Sequence, residues 1–522
     1  MVCFSSFSGC ILKDLLFGTS FSLKSYEVCD DDGFAGLSLG FSATDTVTVK
    51  LYGLDGSVLD SDLFLYGDSD AVFHLASYKE TVKSGQYVLR VYDKNNKKIS
   101  EKTFSFGESN ISITSCSQKW WKREAWKGGY SLIGITMGVH NNGDTPVYPY
   151  MAEVTMDSET ISGLVLPVVM LPDESRYVDC FVYREDTPED STFTVSLKDV
   201  FDDALATDSF SIVLDDNVPV KEFEWTYSDI DRTLSIPYPK FLFDYYSSIN
   251  RIRSDDYGVY VFDSYDDSYI DVLASRLMFG FYDTEDVARI NFVASFVQSL
   301  EYKKDSATNE SFEYPRYPVE TLFNGNGGGD CEDKAILTAS ILDRMGYDVA
   351  LFRLPNHMAV GVHLDENISD YEYYTGKYYF LETTTEGKPL GFIPSTPSDC
   401  KSRSNLTVYP VSSRPLLIHN WKNNVSSIFT KTERGDFIKV TLIVTNLGSE
   451  TAKNIMVKGG FYTQSGLELN AETDVISALK PMMKEEITLM VDIPKGVTAW
   501  FKTRIYLNNE VVDEQESASS FS

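Results

Sequence analysis

Cys331, His357 and Glu382 are the side chains of this sequence that could act together on an acyl group. Cys331 follows Gly327-Gly-Gly-Asp330, His357 follows Leu354-Pro-Asn356, and Glu382 closes Lys377-Tyr-Tyr-Phe-Leu381. A thiol attacks carbon as the thiolate, and at its reference pKa of roughly 8.5 it is mostly protonated at neutral pH. An imidazole can take that proton, and a carboxylate on the far ring nitrogen fixes the tautomer. Of the five histidines, His74, His140 and His419 lack comparable surroundings. His363, beyond an apolar run, reads as a surface residue. The bland readings are an inert core cysteine and a solvated strand-end glutamate. The glycine run is not a phosphate loop, because no Lys-Ser/Thr pair follows it.

Each of the three needs an element to aim it. Ala335, Ile336, Leu337, Ala339, Ile341 and Leu342 recur at helical spacing and stop near Gly346. This places Cys331 in the first turn of a buried helix, where unpaired N–H groups favour an anion. The preceding glycines let the chain turn tightly into that helix. Met358-Ala-Val-Gly-Val362 reads as a strand leaving His357, and Lys377–Leu381 as the next, with Glu382 at its exit.

The order of cysteine on a helix, histidine on one strand and acid on the next resembles the transglutaminase-like superfamily, whose core is papain-like. Pro318-Val-Glu320-Thr-Leu322 followed by Gly329-Asp-Cys-Glu-Asp333 resembles the prokaryotic transglutaminase-like cysteine proteinases. Those carry a P-x-E-T-L stretch and then G-D-C-E-D. The resemblance covers about residues 218 to 400. It implies Cys331 as nucleophile and His357 as base. Members commonly have Asp or Asn as the third residue, and the matching strand here offers Glu382.

Asp330, Glu332 and Asp333 flank the cysteine, and like charge raises a thiol's pKa. Either these acids point away and cap the helix start, or a cation neutralises them. Hard oxygen ligands suit Ca²⁺, and some of the resembling proteinases use the flanking Asp and Glu this way. Asp330 and Glu332 are therefore the candidate calcium ligands. No organic cofactor motif occurs.

Counting 46 basic against 77 acidic side chains gives a formal net charge of −31 over 522 residues. Such a surface repels nucleic acid and anionic lipid. No apolar run of about 18 residues occurs, so no membrane-spanning helix is expected. Phe7-Ser-Gly-Cys10 resembles the end of a lipoprotein signal, with Cys10 as the lipidated residue; the alternative is a plain tail. The seven cysteines show no paired C-x-x-C spacing. Cys116 and Cys180 fall in one domain and could pair in an exported protein.

Short alternating runs such as Thr46–Tyr52, Gln86–Tyr92, Thr192–Leu197 and Glu486–Asp492 follow the pattern of β-sandwiches. Asp283–Leu300 has helical spacing, with Asp283 or Thr284 able to cap it. Tyr257–Tyr265 reads as core and strand edge. Asn141-Asn-Gly143 with Leu171-Pro172, and Asn446-Leu-Gly448 with Leu479-Lys-Pro481, suggest two diverged copies of one module. The expected organisation is an N-terminal tail (1–19) and β-sandwiches at 20–108, 109–216 and 411–522. A transglutaminase-like α+β domain occupies 217–410. The fold class is thus multi-domain: one papain-like α+β domain with three all-β, immunoglobulin-like sandwiches.

The function expected is that of a cell-surface thiol hydrolase acting on peptide, isopeptide or amide bonds through a thioester. One alternative is a non-catalytic adhesion or scaffold protein, and another a cross-linking acyltransferase. The expected partner is a peptide or protein substrate, with a membrane tether only through Cys10.

Overall fold

The computed structural model describes residues 18–123, 129–252, 254–305, 314–365, 367–368, 371–411, 413–422, 428–432 and 435–521. Cys10, and with it the expected lipid anchor, lies outside the described residues. The chain divides into two units, Met1–Asn217 and Val218–Ser522. Both are built mostly from antiparallel β-sheet.

The first unit contains two pairs of sheets. In the first pair, Val58–Phe64, Val47–Tyr52, Gly85–Asp93 and Lys98–Phe106 form one sheet, and Phe21–Asp31, Phe34–Ala43 and Gly67–His74 the other. Along Val47–Tyr52 every second residue is buried, so Val49 and Leu51 meet Leu37 and Phe41 from the opposite sheet. The second pair sets Ser175–Cys180, Gly129–Asn141 and Ile111–Arg123 against Glu159–Leu164, Met151–Met156, Thr192–Lys198 and Ala204–Ser211.

Cys116 and Cys180 do not pair; both are free thiols. Cys116 lies opposite Met137 and Cys180 opposite Ile135, on the two sides of the strand Gly129–Asn141. Two strand spacings separate them by about 10 Å, beyond the roughly 7 Å Cα limit of a disulfide.

The second unit begins with the ribbon Val220–Tyr227 and Ile230–Pro237. The helices Lys240–Ser248, Asp267–Met278, Asp286–Ser299, Pro318–Phe323 and Cys331–Arg344 follow. They accompany an antiparallel sheet in the order Tyr378–Leu381, His357–His363, Val349–Leu354, Thr407–Val411. Two local expectations change. The helix Asp286–Ser299 starts later than Asp283, which instead accepts the Glu285 N–H at 3.0 Å before the helix. Tyr257–Tyr260 is buried but forms a 3₁₀ turn, not a strand edge. One reason is Asp256, whose side chain accepts the Gly258 N–H and caps the turn.

A last sandwich closes the chain. Leu417–Trp421, Gly435–Asn446, Ile428–Thr432 and Lys484–Asp492 form one sheet. Glu468–Leu479, Ala452–Tyr462, Ala499–Leu507 and Glu510–Phe521 form the other. Its corner repeats one in the first unit. The Asn446 amide donates to the Glu450 and Leu479 carbonyls and accepts the Gly448 N–H. The Asn141 amide donates to Thr145 and Met170 and accepts the Gly143 N–H. Met482 and Asp173, each at positive φ, donate N–H to the carbonyls of Asn446 and Asn141 respectively.

Candidate active site

Cys331 is the first residue of the helix Cys331–Arg344, and His357 the first of the strand His357–His363, which packs on that helix. Glycine is required just upstream. The strand Glu301–Tyr302 runs beside Gly328–Gly329, and a Cβ on Gly328 would lie 2.1 Å from the Glu301 carbonyl oxygen. One on Gly329 would lie 2.2 Å from Asp333. Glu382 leaves the strand Tyr378–Leu381, whose register puts Leu381 opposite Val360.

His357 Nε2 and Glu382 Oε2 are 3.0 Å apart, and both side chains are buried. The second Glu382 oxygen accepts the Thr384 N–H at 2.8 Å and the Thr384 hydroxyl. The backbone N–H of Met358, next to His357, hydrogen-bonds the Cys331 sulfur. With Nε2 given to Glu382, Nδ1 is the ring nitrogen that Glu382 does not engage.

Burial opposes ionisation of Glu382. The hydrogen bond and charge of His357, with the hydroxyl and N–H of Thr384, outweigh it and hold the carboxyl at about 2. The Cys331 thiol moves the other way. Burial pushes it up, as do the charge of Glu332 and the 3.2 Å contact between Sγ and Glu332 Oε2. The Met358 N–H opposes this shift.

The flanking acids divide the two roles expected of them. Asp333 accepts the Asp330 N–H at 3.3 Å and so caps the helix. It also accepts the Arg316 N–H at 2.7 Å and ion-pairs with the Arg316 guanidinium. Arg316 reaches Asp305 as well, at 2.8 Å. Asp330 and Glu332 are not paired in this way. One oxygen from each of Asp305, Asp330 and Glu332 lies within 4.8 Å of the others. Asp330 Oδ1 and Glu332 Oε1 are buried without a hydrogen-bond partner. Burial and the neighbouring Glu332 push the Asp330 carboxyl up to about 8. Three converging carboxylates with unspent oxygen lone pairs fit a hard divalent cation.

Several contributors escaped the sequence reading. Tyr302 sits opposite Gly329, and burial, then the charges of Cys331 and Asp330, raise its phenol to about 12. Gln298, on the helix Asp286–Ser299, donates to the carbonyls of Glu382 at 2.8 Å and Lys388 at 2.9 Å. Asn291, two turns earlier on the same face, accepts the Leu390 N–H at 2.7 Å. Helix Asp286–Ser299 therefore grips the loop carrying Glu382 at both ends. Lys334, fully buried, donates to the Gln298 carbonyl at 3.2 Å. Burial pulls its amine down to about 8, against Glu386 and Glu382. The available signal was an amide, Gln298, directly after Phe292–Val297, a run whose one polar member is Ser295.

No family model matches this chain, and no curated protein does. Solved structures give weak likenesses. Red sea bream transglutaminase is 9% identical over 74% of this chain and 80% of its own, with a TM-score of 0.17. A two-domain fibronectin type III segment of chicken tenascin is 11% identical over 36% and 99%, also at 0.17. An Amycolatopsis orientalis exo-chitosanase is 10% identical over 93% and 76%, again at 0.17. Scores this low carry no argument about fold or function.

Proposed function

We propose that this chain is a transglutaminase-like thiol enzyme that hydrolyses peptide, isopeptide or amide bonds at the cell surface. One observation carries the reading. Cys331 heads a buried helix against the amide next to His357, whose imidazole Glu382 holds at 3.0 Å. The Cys331 sulfur attacks the acyl carbon as its proton passes to His357 Nδ1. Glu382 stabilises the imidazolium. Backbone N–H groups at the helix start receive the oxyanion. His357 then protonates the leaving amine, and water hydrolyses the thioester. A transferase would replace that water with an amine.

Asp305, Asp330 and Glu332 are the residues that would hold Ca²⁺. The ion supplies positive charge against the two flanking acids, so Cys331 meets less opposition on losing its proton. Calorimetric titration of the intact protein should show Ca²⁺ binding that Asp330→Asn and Glu332→Gln abolish. Absence of binding to the wild type ends this assignment. The formal net charge of −31 disfavours nucleic acid, and a peptide or protein substrate outside the cell rests on the resemblance of the motifs. A tether through Cys10 belongs to the same reading.

A second reading, a non-catalytic surface scaffold, is favoured by the upward push on the thiol. Iodoacetamide labelling of Cys331, followed by mass spectrometry with Ca²⁺ or EDTA, separates the two. The enzyme reading expects fast labelling below pH 7 that falls roughly 100-fold in His357→Ala and falls in Glu382→Ala. Labelling equally slow in all three proteins would leave the scaffold.

A further inference from the structure

The C-terminal sandwich holds a second nucleophile, imidazole and carboxylate, none of them used by the candidate active site. His419 lies on Leu417–Trp421, Thr503 on Ala499–Leu507 and Asp513 on Glu510–Phe521. His419 Nδ1 is 2.6 Å from Asp513 Oδ2, and His419 Nε2 is 2.7 Å from Thr503 Oγ1. The same Asp513 oxygen accepts the His419 backbone N–H at 2.7 Å. The proton positions follow from the donors present. A carboxylate only accepts, so the neutral imidazole carries its N–H at Nδ1 and its Nε2 accepts. The Trp421 indole N–H donates to Thr503 Oγ1 at 2.7 Å. The hydroxyl's own proton is therefore directed at His419 Nε2, the arrangement that activates an alcohol for attack.

Thr503 is 0% and His419 1% exposed, so no external acyl group reaches this hydroxyl. The electrophile must come from the chain. Gln515 is the direct cross-strand partner of Thr503, so both side chains leave the sheet on one face, with Cβ atoms about 5 Å apart. Gln515 Nε2 donates to the His419 backbone carbonyl at 2.5 Å, which ties the carboxamide to the strand that carries the imidazole.

We propose that Thr503 and Gln515 join as an intramolecular ester. Thr503 Oγ1 forms a bond to Gln515 Cδ as its proton moves to His419 Nε2. The Cδ–Nε2 bond then breaks, and the nitrogen takes that proton and leaves as ammonia. A hydroxyl and a carboxamide become an ester and ammonia, with no oxidant and no cofactor. Asp513 stabilises the transient imidazolium. Burial of Thr503 and His419 limits the access of water to the ester oxygen.

Mass spectrometry of the denatured full chain and of its tryptic peptides tests this. The expected wild type is lighter by one ammonia, and its Thr503-Arg504 dipeptide stays attached to the 505–522 peptide until hydroxylamine releases it. Thr503→Val, close in volume, should restore the unmodified mass, and Thr503→Ser should keep the loss. His419→Ala should also restore it; should that variant fail to fold, the wild type and Thr503→Val decide. Separate peptides with unmodified Gln515 in the folded wild type would overturn the proposal. So would an ammonia loss that survives in Thr503→Val.

Discussion

At the residue scale, the buried pair His357–Glu382 ties the candidate site to stability. The folded carboxyl of Glu382 lies below its ordinary value. Its contribution is therefore present above the unfolded pKa and lost as pH falls through the folded one. The window runs from 4.5 down to about 2. Glu382→Gln should cost on the order of 3 kcal/mol at pH 7 and flatten the acid limb of the stability curve. Urea denaturation across that range checks this. Parallel curves for wild type and variant would mean that Glu382 is not held by the imidazole. The sequence named all three side chains because their types and order are local facts. It gave His419 no role, because Asp513 and Thr503 reach it only through strands far along the chain.

At the element scale, the helix Cys331–Arg344 and the strand His357–His363 were legible from periodicity alone. The grip of helix Asp286–Ser299 on the Glu382 loop was not. Gln298 ends a mostly apolar stretch of that helix, and its carbonyl partners are backbone groups that no side-chain pattern reveals. Gln298→Leu should loosen residues 382–388 and slow Cys331 alkylation about tenfold or more, since small misplacements cost rate steeply. Stability should fall by roughly 1–3 kcal/mol for the unpaired carbonyls. Hydrogen exchange at Thr384 and Thr385 is the companion readout. Unchanged exchange and unchanged alkylation would make Gln298 a passive core residue. The late start of that helix has a local cause as well: Asp283 spends its carboxylate on Glu285 in the preceding turn.

At the scale of the whole molecule, the alternating runs and turn signals determined that most of the chain folds as antiparallel sandwiches. An alternating strand with one apolar face must bury it against another sheet. The paired Asn-x-Gly corners were visible too, and the Asn141 and Asn446 bonding patterns match group for group. The sequence also determined the charge and the chain order of cysteine, histidine and acid. Register and strand order were decided only in three dimensions. They set Cys116 and Cys180 two strands apart, where cysteine spacing alone had allowed a disulfide. They assigned the acids around Cys331 different tasks, Asp333 to Arg316 and the helix cap, Asp330 and Glu332 to a carboxylate cluster with the Arg316-paired Asp305. They brought Thr503, His419, Asp513 and Gln515 together. Periodicity reports which face of an element is apolar, whereas hydrogen bonds between distant elements depend on which strands become neighbours and at what offset.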